Sequence, residues 1–478
     1  MVNKVGEGMI DILRQKREDI ALAKSIKKNL KDVAKHYKAE YERLEQLLVN
    51  RPEWRYALAA FAVALTARLG LIATHPTMYS MDAYQRWGGR EHVLVQDWLP
   101  ATQFIIWLTD GLGGGQVASR VAVSIIAAVA LAAGGLCARR MGGPIAGWAF
   151  FPVMVFGPSL TWTSVPYQEG TFLLFLFGGM ALALNAKAAG ERATRHDWMW
   201  ADIVLGGLAL VRYEGWPVTI LYMLWRRDPR AAIAAWGMLA WLMVKAIGID
   251  GHPASPIHYA DWEGMDTRFD WAVLGESLTK LGRISIKTGG VWLYGLLLPA
   301  ALTLLRRRIV GTGFFLLVFG GQLLTTVAWM AGLETAIVRM HLLPGTLAGL
   351  LCAAAIGLAW PMLKSWMRAV GWLVAIVMVV GFTRQGFQNA KSSIKGVKHE
   401  ARLLEKIERC GDCRFVVRPR TKIGTRDRHD GCEILQGISS MRHGEEFWCQ
   451  RWGDRPSKFV PTHTARWKRG GYVIRAFE

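Results

Sequence analysis

Apolar runs of about 20 residues, the length that spans a bilayer core, recur along this chain and constrain its fold more than any other feature. Glycine and alanine crowd those runs, as suits helices that approach one another closely in lipid. Hydrophobic residues make up 52% of the chain, with 22 Trp and a mean hydropathy of +0.20. The expected class is an all-α polytopic membrane protein. Spanning helices are expected near 55–74, 118–137, 144–161, 169–187, 199–212, 215–226, 230–249, 288–305, 309–331, 341–360 and 366–383, about eleven in all. Residues 99–112 are apolar but too short to cross, and read as a helix lying at the interface.

Charge sets the expected orientation. Arg139-Arg140, Lys187/Arg192/Arg195, Arg226-Arg227/Arg230, Arg306-Arg307-Arg308 and Lys364/Arg368 all fall on one side of this threading, which is cytoplasmic by the positive-inside rule. One decision carries the topology. The stretch 199–226 is interrupted by Arg212-Tyr213-Glu214-Gly215-Trp216-Pro217, where a proline inside a helix would cost about 3 kcal/mol. A hairpin of two short helices keeps both downstream arginine clusters inside, whereas one helix would place them outside. The net charge of +21 is then explained by loops beside helices and by attraction to anionic lipid. Nucleic acid is not an expected partner, since no recognition motif accompanies the charge.

Three units follow: an arm (1–53), a membrane domain (54–383) and a tail (384–478). No cleavable signal peptide is expected, because the first apolar helix begins only near Trp54. Ile26, Leu30, Val33, Tyr37, Tyr41, Leu44 and Leu48 recur at steps of three and four, so the arm is expected to be an amphipathic helix. It suits a membrane surface or a partner, or equally the inner face of the protein itself. The tail opens with a helical pattern (Phe387, Ile394, Val397, Leu403, Leu404, Ile407), and strand-like runs follow at Phe415-Val416-Val417 and Tyr472-Val473-Ile474. It reads as a small extracytoplasmic α/β domain with a net charge of +10. Cys410, Cys413, Cys432 and Cys449 in an exported segment favour disulfides, with a zinc site as the rival. Cys137 and Cys352 fall in helices and read as packing residues.

The residues fit for chemistry gather on the outer face of this threading. The first outer loop carries Asp82, Tyr84, Arg86, Glu91, His92 and Asp97. Glu169 begins the fourth helix, Arg212 ends the fifth, and Arg339 and His341 begin the tenth. Ionisable groups at membrane depth are costly and usually functional. Structural roles stand beside that reading: Arg212 could pair with Glu214, Arg339 could snorkel, and Glu169 could cap a helix N-terminus. Together they suit transfer of a sugar from a polyprenyl phosphate. Arginine clasps phosphate oxygens with a planar fork and stays charged, while a carboxylate within hydrogen-bond reach activates the acceptor hydroxyl. The long outer loop with His258, Asp261, Trp262 and Glu263 could contact acceptor or sugar, or form a surface helix.

The order of features resembles a known family. An Asp-bearing outer loop ends in Trp98-Leu99-Pro100, and Arg120 begins the next helix. An Arg139-Arg140-Met141-Gly142-Gly143-Pro144 turn follows, then Pro158 ahead of Gln168-Glu169-Gly170, then Gly207-Leu-Ala-Leu-Val-Arg212-Tyr-Glu-Gly215. Over about residues 50–360 this resembles the C-type membrane glycosyltransferases, among them the protein O-mannosyltransferases and the aminoarabinose and arabinofuranose transferases. The resemblance implies Asp82 as general base, a polyprenyl-phosphate-linked sugar donor, and chemistry on the extracytoplasmic face. Many relatives place a second acid directly after the first, whereas Ala83 stands here, which weakens a metal-binding reading; no cofactor is expected, and a divalent metal is possible but not favoured. Asp97 is the rival base, or else a structural turn or helix cap ahead of Trp98-Leu99-Pro100.

The expected function is thus an integral-membrane inverting glycosyltransferase of a bacterial cytoplasmic membrane. Asp82 is the catalytic residue; Arg212, Arg339 and His341 bind the donor phosphate; Tyr84, Arg86, Asp97, Glu169 and His258 support the substrates. The acceptor is a glycan, lipid or protein. The alternatives are a transporter or flippase of a lipid-linked glycan, or a docking subunit without activity. A transporter should show paired interrupted helices in both halves, and the sequence offers one such pair, at 212–217.

Overall fold

The computed structural model describes residues 53–76, 99–246, 290–333 and 342–408, four strands between 414 and 477, and isolated positions including Arg86 and Arg90. The arm, Asp82, Tyr84, Asp97, His258, Arg339, His341, Cys410, Cys413 and Cys432 lie outside the described residues. Five stretches among the described residues are long and apolar enough to cross a membrane: Glu53–Thr74, Gly115–Gly142, Gln168–Arg192, Leu342–Met362 and Ser365–Lys391. The chain is an integral membrane protein.

Helix α1 (Glu53–Thr74) leads towards a short α2 (Pro100–Gly111) and the long α3 (Gly115–Gly142). α3 is central, packing on α1, on α7 (Gln168–Ala189) and on α13 (Leu342–Ala359). Glycine sets the α3–α13 distance. A Cβ on Gly142 would lie 2.1 Å from the Ala354 carbonyl oxygen, and one on Gly357 2.3 Å from that of Gly142. Only hydrogen at both positions lets the two backbones meet.

The stretch 144–161, expected as one spanning helix, is instead three short pieces: α4 (Pro144–Ala149), α5 (Phe151–Met154) and α6 (Gly157–Trp162). Pro152 and Pro158 remove donors and clash with the preceding turn, so each marks the start of a new helix. Irregular backbone at this depth is tolerated because it is enclosed by protein, and every residue from Pro152 to Tyr167 is buried.

The interruption at 212–217 folds as the hairpin the sequence predicts. A Thr194–Asp197 capping box starts α8 (Arg195–Gly206), a 3-10 turn covers Gly207–Leu210, and α9 runs Gly215–Arg226. The two helices are antiparallel. Trp216 Nε1 donates to the Ala209 carbonyl (3.1 Å), Thr219 Oγ1 to that of Leu205 (3.4 Å), and the Tyr222 hydroxyl to Asp202 (2.7 Å). Gly215 permits the turn, since a Cβ there would meet the Leu208 carbonyl oxygen at 2.3 Å. Each helix has 12 residues. At about 18 Å, neither crosses a core about 30 Å thick unaided.

A 3-10 segment (Pro229–Ala235) leads into α10 (Trp236–Ala246), and α11 (Gly290–Arg306) and α12 (Thr312–Leu333) precede α13. The final helix, α14 (Ser365–Glu408), is a continuous 44 residues, so the boundary expected at 383/384 falls inside it. Beyond it lie strands β1 (Arg414–Pro419), β2 (Phe447–Cys449), β3 (Ala465–Arg469) and β4 (Tyr472–Phe477), in the order β2-β1-β4-β3. β1 runs parallel to β2 and antiparallel to β4, with Val417 opposite Ile474, so the two strand-like runs read in the sequence pair with each other.

The bundle has two distinct ends. At one, Arg140 reaches both Glu53 (2.7 Å) and Asn185 (2.5 Å), and Arg307 lies against Met362 (3.7 Å). Arg226 pairs there with buried Asp202 and lies over the Trp198 ring. The opposite end holds His75, the 162–169 segment, the 211–214 turn and the Gly386–Phe387 level of α14.

Candidate functional site

The residues between α6 and α7 turn at Pro166 and deliver Glu169 into the first turn of α7. Glu169 takes no N-cap role; the N-cap is Tyr167, with no side-chain cap bond. The Glu169 carboxylate turns instead towards the turn between α8 and α9. Arg212 Nη1 donates to Glu169 Oε1 at 2.9 Å. The same guanidinium forks onto Glu214, Nη2 to Oε1 at 2.6 Å and Nε to Oε2 at 3.2 Å. Two carboxylates therefore share one cation, and all three Arg212 nitrogens donate to them. Exposure differs across the group: the Glu169 side chain is 5% exposed, those of Arg212 and Glu214 18% each. The pair with Glu214 is the more accessible edge.

Short helix α2 joins this group to the first outer loop. Thr102 Oγ1 donates to Thr171 Oγ1 (3.3 Å), tying α2 to α7 two residues beyond Glu169. Its neighbour Gln103, fully buried, donates through Nε2 to the Arg86 carbonyl at 3.0 Å. Arg86 itself is buried, and Arg90 pairs with Asp110 near the end of α2 at 3.4 Å. Of the residues read from the sequence, the structure thus brings Glu169, Arg212 and Glu214 into contact and moors Arg86 to the neighbouring helix.

Two further arginines, both fully buried, stand behind this group. Arg68, in α1, donates through Nε to Thr163 Oγ1 (2.9 Å) and through Nη1 to the Ala64 (2.9 Å) and Met154 (3.2 Å) carbonyls. Its Nη2 reaches Ser159 Oγ at 3.4 Å. Arg120, in α3, donates through Nε to the Ser164 carbonyl at 2.9 Å and through Nη1 to the His75 carbonyl. Met154 ends α5, Ser164 follows α6 and His75 follows α1, so both cations sit at the negative ends of helices. Arg68 belongs to no motif in the sequence, and Arg120 stands only at a motif position. An isolated cation inside an apolar run was the available signal.

Burial, with the positive charges of Arg120 and Lys391 adding to it, holds the His75 imidazole below its ordinary pKa. His75 Nδ1 lies 2.8 Å from Thr74 Oγ1, and its ring meets Phe387 of α14 edge-on. Thr161 Oγ1 donates to the Gly386 carbonyl at 3.0 Å. The root of the Asp82 loop and the emerging part of α14 therefore share one end of the bundle. Cys137 and Cys352 are buried thiols facing carbonyls, as packing residues would be. No three His, Cys, Asp or Glu side chains gather in metal-binding fashion among the described residues.

No family model matches the chain, and no curated protein matches it. Among solved structures, it is similar to ArnT from Cupriavidus metallidurans in the apo state, at 16% identity and a TM-score of 0.43. It is also similar to ArnT from Cupriavidus metallidurans bound to undecaprenyl phosphate, at 16% identity and a TM-score of 0.47. Both likenesses cover 70% of this chain and 74% of the other.

Proposed function

We propose that this protein is an inverting membrane glycosyltransferase that moves a sugar from a polyprenyl-phosphate donor to an acceptor hydroxyl on the extracytoplasmic face. The observation that carries the reading is the Glu169–Arg212–Glu214 group, moored through α2 to the loop that bears Asp82. Asp82 lies four residues before Arg86, and a chain that short reaches at most about 14 Å. That distance is well under the thickness of a bilayer core, about 30 Å, which supports an acid and a guanidinium acting at one membrane boundary.

In this reading the donor phosphate takes the accessible edge of Arg212, displacing Glu214, while Glu169 keeps the guanidinium in place. Arg339 and His341 complete the phosphate site. Tyr84, Arg86, Asp97 and His258 support donor and acceptor. The Asp82 carboxylate takes the proton of the acceptor hydroxyl as its oxygen attacks the anomeric carbon. The bond from that carbon to the phosphate oxygen breaks, and polyprenyl phosphate leaves with the electron pair. One in-line displacement inverts the centre. The cationic side of the bundle faces the cytoplasm, and the tail lies with the Asp82 loop on the other side.

The test uses the purified full chain in lipid nanodiscs with polyprenyl-phosphate sugars. Transfer is expected, and Asp82→Asn should lower kcat on the order of 10²–10⁴-fold. An Asp82→Asn protein that transfers sugar at the wild-type rate would remove Asp82 as the base. Movement of labelled lipid-linked sugar across vesicles without any transfer product would replace the transferase with a transporter.

A further inference from the structure

The two segments that carry the proposed chemistry leave their helices at different places in the chain, yet one side chain touches both roots. Arg120 donates through Nε to the Ser164 carbonyl, five residues before Glu169, and through Nη1 to the His75 carbonyl, seven residues before Asp82. The residue is wholly buried in α3, beside buried Ser119 and Ser124, where an aliphatic side chain would avoid the desolvation of a cation. A guanidinium is suited to this place because its donors diverge from one rigid plane, so two carbonyls can be held at a fixed spacing. An ammonium is a single point of charge.

We infer that Arg120 is a positioning residue that fixes the spacing between the Asp82 loop and Glu169 by holding both roots on one guanidinium. It touches neither donor nor acceptor. Arg68, itself in α1, ties that helix to Ser159, Thr163 and Met154, and so braces the Glu169 root against the helix that leads to His75. The effect on turnover rests on the transferase reading, whereas the tie between the two roots does not.

The test has two arms on Arg120→Lys in nanodiscs. In hydrogen exchange, peptides covering 70–76 and 163–169 should lose protection together. In kinetics, kcat should fall on the order of 10²-fold with donor KM within about 3-fold, as misplacement of reacting groups predicts. Added to Asp82→Asn, the same substitution should cost less than about 3-fold, because its effect runs through that carboxylate. Arg120→Gln, able to reach one carbonyl, takes its place if the Lys variant does not fold. Exchange that changes at neither root or at one alone overturns the inference, as does a kinetic loss that multiplies fully in the Asp82→Asn background. A wild-type protein without transfer activity would sink the proposed function instead, and the exchange arm would still decide the role of Arg120.

Discussion

Glu169 and Arg212 are 43 residues apart in the chain and 2.9 Å apart in space, with Glu169 the more deeply buried partner. Removing the charge of Glu169 leaves Arg212 enclosed with a weaker partner, whereas Glu214 has water within reach. Glu169→Gln should therefore lower stability by about 2–3 kcal/mol, and Glu214→Gln by no more than about 1 kcal/mol. Thermal unfolding in detergent compares the two, and equal losses would contradict the burial order.

Arg212→Lys keeps the charge but not the fork that holds Glu169 and Glu214 together. A donor phosphate would then meet a single ammonium in competition with two carboxylates. Donor KM should rise on the order of 10-fold, with a smaller change in acceptor KM, measured by initial rates in nanodiscs.

The α3–α13 contact gives a prediction independent of function. Gly142→Ala would place a methyl group 2.1 Å from the Ala354 carbonyl oxygen, and a backbone neighbour cannot rotate away. A loss of about 1–3 kcal/mol is expected. Gly320→Ala in α12, where a Cβ meets nothing within 4 Å, should be neutral or slightly stabilising. The pair of melting temperatures checks this.

His75 makes stability depend on pH in a stated direction. Its pKa in the folded protein lies below the ordinary value of 6.5, so the unfolded chain binds the proton first as pH falls. The contribution is nil well above 6.5, destabilisation grows as pH drops below that value, and it is complete once the folded-state pKa is passed. His75→Gln should flatten the fall in melting temperature between about pH 7 and pH 5. A slope identical to that of the wild type would show that other groups govern the acid side.

Local chemistry made the hairpin at 195–226 legible: a glycine, a proline and two charges in six residues admit few structures other than a turn. Hydropathy failed at 144–161 for a physical reason. Broken and continuous helices have the same apolar composition when both are enclosed by protein, and only Pro152 and Pro158 mark the difference. At the candidate site, the individual groups Glu169, Arg212 and Glu214 were visible as charges beside apolar helices. The Arg212–Glu214 pair, two residues apart, was legible too; the contact of Arg212 with Glu169 was not, because it depends on the crossing of α7 with the hairpin. Arg68, Thr102 and Gln103 went unnoticed since their partners are mostly backbone carbonyls and hydroxyls, which carry no sequence signature. Asp82, Arg339 and His341 lie outside the described residues and rest on sequence alone.

The unbroken course of α14 has a mechanical consequence. Its 44 residues extend about 66 Å, roughly twice the depth of the hydrocarbon layer. No swivel separates the stretch inside the lipid from the stretch beyond Lys391, so any tilt or rotation of the inner half is passed to the outer half like torque along a shaft. One residue inserted after Lys391 would turn everything downstream by about 100° around the helix axis.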